Sequence, residues 1–237
     1  MNIKNLSFSY QNRSVLKNVN IEFKKNKTNV LLGLNGAGKT TLFDLMTGVI
    51  PMSENSCFKN FPSYDEVLYQ LQGIPFLTTL KGKDLVKVFL NSDYKNRNSK
   101  KPLKAQFDLT DGREKGLLDR LWELEFGKMS VGERRWLIIT TICHLDRKLY
   151  IFDEPTAGID PDAKIKILKR IEDLSNKKDS FVILSSHQLH ELKYIDCHLF
   201  FLHQGEIIFN GSYNEFISFT NTENPDQAFY EMIESVG

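Results

Sequence analysis

The amino-acid sequence predicts an α/β fold with a parallel-sheet core, an antiparallel β subdomain and a helical insertion. Two runs that are apolar throughout, Leu149 to Phe152 and Phe181 to Leu184, are typical of strands buried on both faces, and a helical pattern follows each. Near the N-terminus, Ile3 to Tyr10 and Val19 to Phe23 alternate apolar and polar residues. This alternation predicts half-buried antiparallel strands outside the parallel core.

A strand, loop and helix follow these first strands. Asn29 to Leu32 is a short apolar run that ends at a glycine, and Lys39 to Thr47 has the pattern of a helix stopped by Gly48 and Pro51. Between the two later apolar runs, Asp160 to Leu174 begins with Asp-Pro, which suits the cap and first position of a helix. The parallel core therefore has a predicted crossover helix.

The middle of the chain has a different pattern. Helical patches at Leu85 to Leu90 and Leu117 to Leu124 surround a polar stretch, Asn91 to Lys101, which is either the flexible centre of an insertion or a solvated loop. We therefore predict one domain, 1–237, in which 1–72 and 129–237 form the core and β subdomain and 73–128 the helical subdomain. After it, His198 to Leu202 and Glu206 to Phe209 flank Gln204-Gly205 as a hairpin, and a polar helical tail follows.

Composition argues against several functional classes. The chain carries 31 basic and 30 acidic residues, so no strong overall field favours nucleic acid. The three cysteines form no CxxC pair, which argues against a disulfide framework or a zinc site. No stretch has the length of a membrane span, and the N-terminus lacks the apolar segment of a signal peptide. We expect a reduced, cytoplasmic chain with no nucleic-acid partner.

The run GLNGAGKT matches G-x-x-x-x-G-K-[ST] in full and lies between a predicted strand and a predicted helix. Glycines let the backbone fold around phosphate oxygens, and the helix N-terminus adds a favourable dipole. We expect Lys39 to reach the β and γ phosphates, the Thr40 hydroxyl to bind Mg²⁺ and Thr41 to add a phosphate contact. The predicted core is therefore that of a P-loop NTPase. The expected nucleotide-binding residues of the loop are Gly33, Leu34, Asn35, Gly36, Ala37, Gly38, Lys39, Thr40 and Thr41.

Two acids end the apolar strand LYIFDE, at the carboxyl edge where α/β folds bind ligands. Their side chains point in different directions because side chains alternate along a strand. Asp153 is expected to hold Mg²⁺ indirectly, and Glu154 to polarise an attacking water as general base. Together with the phosphate loop, the acid pair predicts nucleoside triphosphate hydrolysis.

With these motifs in place, nearly the whole chain resembles the nucleotide-binding subunit of an ATP-binding cassette (ABC) transporter. The resemblance implies that Tyr10 stacks on adenine and that Gln72, in YQLQGIPF, senses Mg²⁺ and the water. Gln70 competes for this role because the usual proline between the two glutamines is absent. His187, in LSSHQ, matches the histidine that contacts the γ-phosphate. The implied catalytic set is Glu154, His187, Lys39 and Gln72, and the implied metal set is Thr40, Gln72 and Asp153.

MSVGERR occupies the place of the family signature LSGGQ. The resemblance implies that Ser130, Gly132 and Glu133 contact nucleotide held by another protomer. Val131 replaces a glycine and Glu133 a glutamine. Ser130 and Glu133 also form the pattern of a helix capping box, and both functions are compatible. Asp160, in PTAGID, is expected either to help pair two subunits or simply to cap the next helix.

The resemblance implies an ATPase that uses ATP and Mg²⁺, pairs as a homodimer or pseudo-dimer and acts with a separate transmembrane permease at the cytoplasmic face of the membrane. The short chain favours an exporter of drug, peptide or polysaccharide type. Three alternatives stay open: a soluble ABC ATPase without transport, another P-loop enzyme such as a small-molecule kinase, and a cassette that binds ATP but hardly hydrolyses it.

Overall fold

The structure is a computed structural model that describes residues 1–52, 57–73, 77–93, 101–107, 109–177, 179–220 and 222–236. Residues 94–100, most of the polar stretch for which two interpretations were open, lie outside the described residues. The chain divides into two compact units. The first comprises Met1–Gln72, Arg147–Pro155 and Ile171–Gly237, and the second comprises Gly73–Asp146 and Thr156–Arg170.

The first unit contains two sheets. A three-stranded sheet has the order β2-β1-β4, and a six-stranded sheet has the order β5-β6-β7-β3-β8-β9. The larger sheet is parallel from β5 to β8, and β9 pairs antiparallel with β8. The strands are β1 (Asn2–Tyr10), β2 (Arg13–Glu22), β3 (Thr28–Leu32), β4 (Phe58–Lys59), β5 (Val67–Gln70), β6 (Leu149–Phe152), β7 (Phe181–Ser186), β8 (Cys197–His203) and β9 (Glu206–Ser212).

Seven α-helices lie within the described residues. They are α1 (Lys39–Met46), α2 (Gly82–Asn91), α3 (Gly112–Trp122), α4 (Val131–Ile142), α5 (Pro161–Lys177), α6 (Tyr213–Ser218) and α7 (Pro225–Val236). Short 3-10 turns occupy Tyr64–Glu66, Leu103–Gln106, Phe126–Lys128 and Leu192–Tyr194. The predicted mixed fold, with its parallel core, antiparallel sheet and helices, is confirmed.

Two apolar strands determine where polar residues emerge at one edge of the larger sheet. Every residue of β6 is fully buried, and five of the six residues of β7 are buried, as continuous apolar runs predict. Their burial fixes where each strand ends, so the polar residues that follow them emerge at one edge of the sheet.

Two elements, β2 and α3, begin earlier than their apolar patterns indicated, and a turn or a cap extends each of them. β2 begins at Arg13 rather than near Val19 because a tight turn pairs Arg13 with Tyr10. α3 begins at Gly112 because the Asp111 carboxylate accepts a hydrogen bond from Arg113 N (2.7 Å). α4 begins at Val131, where the predicted capping box of Ser130 and Glu133 places its start.

Candidate nucleotide-binding site

The phosphate loop joins β3 to α1 in the first unit. Gly36 and Gly38 have φ angles of 82° and 110°, in the region that favours glycine. A Cβ on Gly38 would lie 3.0 Å from Leu16 Cδ2 and 3.2 Å from Val15 O. Because a side chain at position 38 would be both strained and crowded, the loop needs glycine there to begin the helix.

Lys39 is buried and closes on the loop's own backbone. Its Nζ donates to Gly33 O (2.8 Å) and Leu34 O (3.2 Å). Burial lowers the pKa of Lys39 from its usual value, whereas the nearby carboxylates of Glu154 and Asp153 oppose that shift. The ammonium therefore lies beside two acids and within reach of the loop where phosphates are expected.

An open cleft of about 690 Å³ runs along the phosphate loop. It joins the loop to the acid pair at one end and to the start of β2 at the other. The lining residues are Tyr10, Arg13, Ser14, Val15, Lys17, Asn35, Gly36, Gly38, Lys39, Thr40, Thr41, Gln72, Asp153, Glu154, Gln204 and Gly205. Gly33 and Leu34 instead line a smaller cleft, and Ala37 is buried in the core.

Asp153 is fixed by two hydroxyl groups. Thr40 Oγ1 donates to Asp153 Oδ2 (3.1 Å), and Ser185 Oγ donates to Asp153 Oδ1 (2.5 Å). The same Ser185 Oγ accepts a hydrogen bond from Glu154 N (2.9 Å). One serine at the end of β7 thus orients both members of the acid pair.

Glu154 contacts two of the three other predicted catalytic residues, Gln72 and His187. Its Oε2 accepts from Gln72 Nε2 (2.7 Å), and its Oε1 lies 3.1 Å from His187 Nδ1. Its backbone has a φ of 48°, which is unusual for a residue other than glycine. Such backbone strain is typical of functional positions.

The two competing glutamines have different surroundings. Gln70 is only 3% exposed, and its side-chain nitrogen donates to Leu71 O. Its backbone carbonyl accepts from Asp153 N (2.9 Å). Gln72 lines the cleft and contacts Glu154. The geometry therefore favours Gln72 as the glutamine that acts in the site, with Gln70 supporting the end of β5.

Tyr10 lies at the other end of the cleft, with 47% of its surface exposed. The ring of Phe8 meets it edge to face, with centroids 4.9 Å apart and planes at 90°. Phe8 is itself packed against the core. The Tyr10 ring is therefore held in place while much of its surface remains accessible to a base.

The signature-like residues lie in the second unit, at the start of α4. Ser130 Oγ accepts from Glu133 N (3.2 Å), and Glu133 Oε2 accepts from Ser130 N (2.8 Å), which completes the capping box. Asp160 caps α5 through Ala163 N (2.9 Å). The capping functions predicted for both segments are present.

A model of the ABC transporter family matches residues 16–157, more than half of the chain. This chain belongs to the ABC transporter family. It is an ATPase subunit of the family, and its cleft unites that family's phosphate loop and acid pair in one unit.

Individual relatives of this ABC ATPase cover most of its length. The lantibiotic transport ATP-binding protein SrtF of Streptococcus pyogenes is 29% identical over 98% of this chain and 97% of its own. The zinc import ATP-binding protein ZnuC of Ehrlichia canis is 31% identical over 80% of this chain and 74% of its own. A solved ATP-binding subunit of an ABC transporter has a TM-score of 0.77 at 22% identity and covers 98% of each chain, which shows a common fold.

Three residues that line the cleft of the ABC ATPase, and Ser185 beside its acid pair, are not predicted from the sequence. Ser185 carried a weak signal, as a polar residue at the end of an apolar strand two positions before His187. Arg13 and Lys17 begin a strand in an ordinary alternating pattern, so nothing distinguished them from solvated lysines and arginines. Gln204 was predicted only as a turn residue, and its φ of 47° fits that turn.

The donor set of the ABC ATPase fits a magnesium ion bound together with phosphate. Within the described part of the chain, no group of three or more His, Cys, Asp or Glu side chains could hold a metal alone. Thr40 and Asp153 instead supply a hydroxyl and a carboxylate beside the phosphate loop. Oxygen ligands of this kind suit Mg²⁺, which usually keeps several waters and binds through one or two carboxylates and substrate phosphates.

Proposed function

We propose that this ABC ATPase binds Mg²⁺ and ATP in the cleft of the first unit and hydrolyses the γ-phosphate with Glu154 as general base. The observation that carries the proposal is the division of roles between the two acids. Asp153 is held by hydroxyls beside the phosphate loop, whereas Glu154 faces Gln72 and His187. These contacts support Asp153 as the acid for the metal and Glu154 as the acid for the attacking water.

The backbone and side chains of the phosphate loop hold the triphosphate. Lys39 exchanges its hydrogen bonds to Gly33 and Leu34 for phosphate oxygens, and the dipole of α1 favours the added charge. Tyr10 stacks on the base at the other end of the cleft. ATP is therefore bound through both its triphosphate and its base.

Thr40 and Asp153 would hold Mg²⁺, with Gln72 nearby. When bound, Mg²⁺ neutralises charge on the phosphate oxygens and orients the terminal phosphate. Glu154 accepts a proton from the attacking water, while Gln72 and His187 keep its carboxylate oriented. By orienting Glu154, Gln72 and His187 determine which carboxylate accepts the proton.

Two protomers, identical or related, would each offer Ser130, Gly132 and Glu133 to nucleotide bound by the other. Support comes from the family and from the position of these residues at a helix N-terminus.

Within the described residues, no helix is long and apolar enough to cross a bilayer. The proposed partner that crosses the membrane is a separate permease, which docks on the helical subdomain 73–128. The ATPase then works at the cytoplasmic face of the membrane.

Export is the direction we propose. The names of the relatives do not fix a direction for this chain, since one is a lantibiotic transport protein and the other a zinc import protein. The lantibiotic relative matches nearly end to end, whereas the zinc-import relative matches 74% of its own length. An exporter of peptide type is therefore the better match in size.

Glu154→Gln tests the proposal. Since the amide cannot accept the proton, we expect ATP turnover to fall about 10²- to 10⁴-fold while ATP affinity is kept. Phosphate release and calorimetric titration with ATP measure the two quantities, and Glu22→Gln on the exposed face of β2 is the matched control. Turnover at the unmodified rate in Glu154→Gln would remove Glu154 from the mechanism. Tight binding without turnover in the unmodified protein would indicate a cassette that only binds.

A further inference from the structure

The first turn of α4 carries an acid where the family signature has a neutral glutamine, and that acid is paired. Glu133 Oε1 accepts a hydrogen bond from the Arg120 guanidinium on α3, and its Oε2 accepts from Ser130 N (2.8 Å). The exposed fractions of the two side chains are 55% for Arg120 and 22% for Glu133. Both carboxylate oxygens are therefore engaged, one by the cap and one by a cation.

Burial, the largest single influence, raises the pKa of Glu133, but the hydrogen bonds from Arg120 and Ser130 outweigh it and leave the pKa below its usual value. The group is thus a carboxylate at neutral pH. A fixed negative charge on the first turn of a helix stabilises that helix but repels a second anion approaching the same end.

A second carboxylate lies close to the same place. Asp160 Oδ2 is 3.8 Å from the position that a Cβ on Gly132 would occupy. The neighbouring cation Arg134 is turned elsewhere, because its Nη2 donates to Gly127 O (2.9 Å) and its guanidinium lies over the Phe126 ring. Arg120 is the cation that pairs directly with the signature acid.

We infer that Arg120 is a positioning residue of the signature, which neutralises Glu133 so that the terminal phosphate of nucleotide held by the partner protomer can approach Ser130 and Gly132. The inference rests on the proposed function, in which the signature meets that nucleotide. It explains how a signature with a glutamate in the place of glutamine still accepts an anion.

The pair offers a clean test because glutamine preserves the cap. Both Glu and Gln complete an S-x-x-E/Q capping box, so Glu133→Gln removes the charge and keeps the hydrogen bond to Ser130 N. If Arg120 acts by neutralising charge, it becomes dispensable once Glu133 is glutamine. If Arg120 only ties α3 to α4, it stays necessary.

The experiment uses Glu154→Gln protein, in which ATP is bound without being consumed, and measures the dimer dissociation constant by sedimentation with Mg²⁺ and ATP. Adding Arg120→Ala should weaken the dimer at least about tenfold, since like charges facing each other across an interface are costly. Adding Glu133→Gln as well should restore the constant to within about threefold of the parent, a difference of about 0.65 kcal/mol or less. Arg113→Ala, which removes a cation from an exposed position of the same helix, should change nothing.

Two further readouts separate charge from packing. The loss of dimer affinity caused by Arg120→Ala should become smaller as KCl is raised from about 0.05 to 0.5 M, because salt screens exposed charges. ATP affinity of the monomer should be unchanged in all variants.

A dimer of parental strength in Arg120→Ala, or a triple variant as weak as the double, overturns the inference and leaves the proposed function standing. A Glu154→Gln parent that binds ATP without dimerising overturns the inference and the proposed pairing of two protomers, and leaves the proposed ATP binding in the cleft standing.

Discussion

The acid pair and the signature-like segment differ in how completely one chain builds them. At the sheet edge, Thr40, Ser185, Gln72 and His187 all contact Asp153 or Glu154 within the first unit. At the start of α4, Ser130 and Glu133 contact each other, and Arg120 contacts Glu133. The first region is assembled for a small molecule, whereas the second has its polar groups satisfied by its own chain.

The two regions are constrained by different residues. The sheet edge tolerates little change because each acid serves several partners through a buried or half-buried contact. The signature tolerates Val131 and Glu133 because a capping box needs only Ser130 and an acceptor three residues later. We therefore expect variants of the sheet edge to change chemistry and variants of the second unit to change stability or pairing.

Among the variants of the sheet edge and phosphate loop, Lys39→Met should lower turnover most. Removing the ammonium deletes a charge aimed at the phosphates, so we expect turnover to fall at least about 10²-fold. The free energy of unfolding should stay the same or rise slightly, since a desolvated charge is replaced by an apolar chain.

Phosphate release and thermal unfolding measure the two effects. Lys59→Met on the exposed face of β4 controls for loss of a positive charge. Unchanged turnover in Lys39→Met would contradict the assignment of the loop to phosphate binding.

The sequence predicted the parts of the fold and site that depend on local pattern. β6 ends where it was expected to end because four apolar residues precede two acids. The phosphate loop was predicted because glycines and a lysine recur at fixed spacing. Ser185 could not be assigned, since its role arises only when β7 pairs beside β6. Likewise, nothing in the spacing of Arg120 and Glu133 indicated a contact between two helices.

Ser185→Ala should have the next effect. Its hydroxyl orients Asp153 and satisfies Glu154 N, and the residue is fully buried. Leaving both groups without this partner should cost about 2 kcal/mol of stability and lower turnover about thirtyfold.

Ser186→Ala is the matched control, because its hydroxyl accepts from Gln188 N and contacts neither acid. Equal turnover in the two variants would mean that the end of β7 supports the fold without orienting the acids.

Tyr10→Ala should have a smaller effect, confined to binding. Loss of the stacking surface should lower the affinity for ATP about tenfold, because a base stacked on an aromatic ring contributes on the order of 1–3 kcal/mol. Tyr10→Phe should bind nearly as well, since the ring face is kept. Inorganic tripolyphosphate, which has no base, should bind all three proteins equally. An effect of the same size on tripolyphosphate would show that Tyr10 supports the loop rather than the base.

Glu114→Ala should leave nucleotide affinity unchanged and therefore tests the comparison from the second unit. Glu114 Oε1 accepts from Trp136 Nε1 on α4 (3.1 Å) and from Arg170 on α5 (2.5 Å), and both members of the ion pair are less than 20% exposed. Its loss should cost about 2 kcal/mol of stability, because two largely buried donors lose their acceptor.

Glu125→Ala is the control for this variant, since its exposed pair with Lys128 should contribute at most about 0.5 kcal/mol. Chemical denaturation and ATP titration measure the two quantities. A loss of ATP-binding free energy in Glu114→Ala as large as its loss of unfolding free energy would contradict the contrast between a self-contained nucleotide cleft and a separately stabilised second unit. Lost stability with intact affinity would instead locate the determinants of nucleotide binding in the first unit, where Lys39, Asp153 and Tyr10 line the cleft.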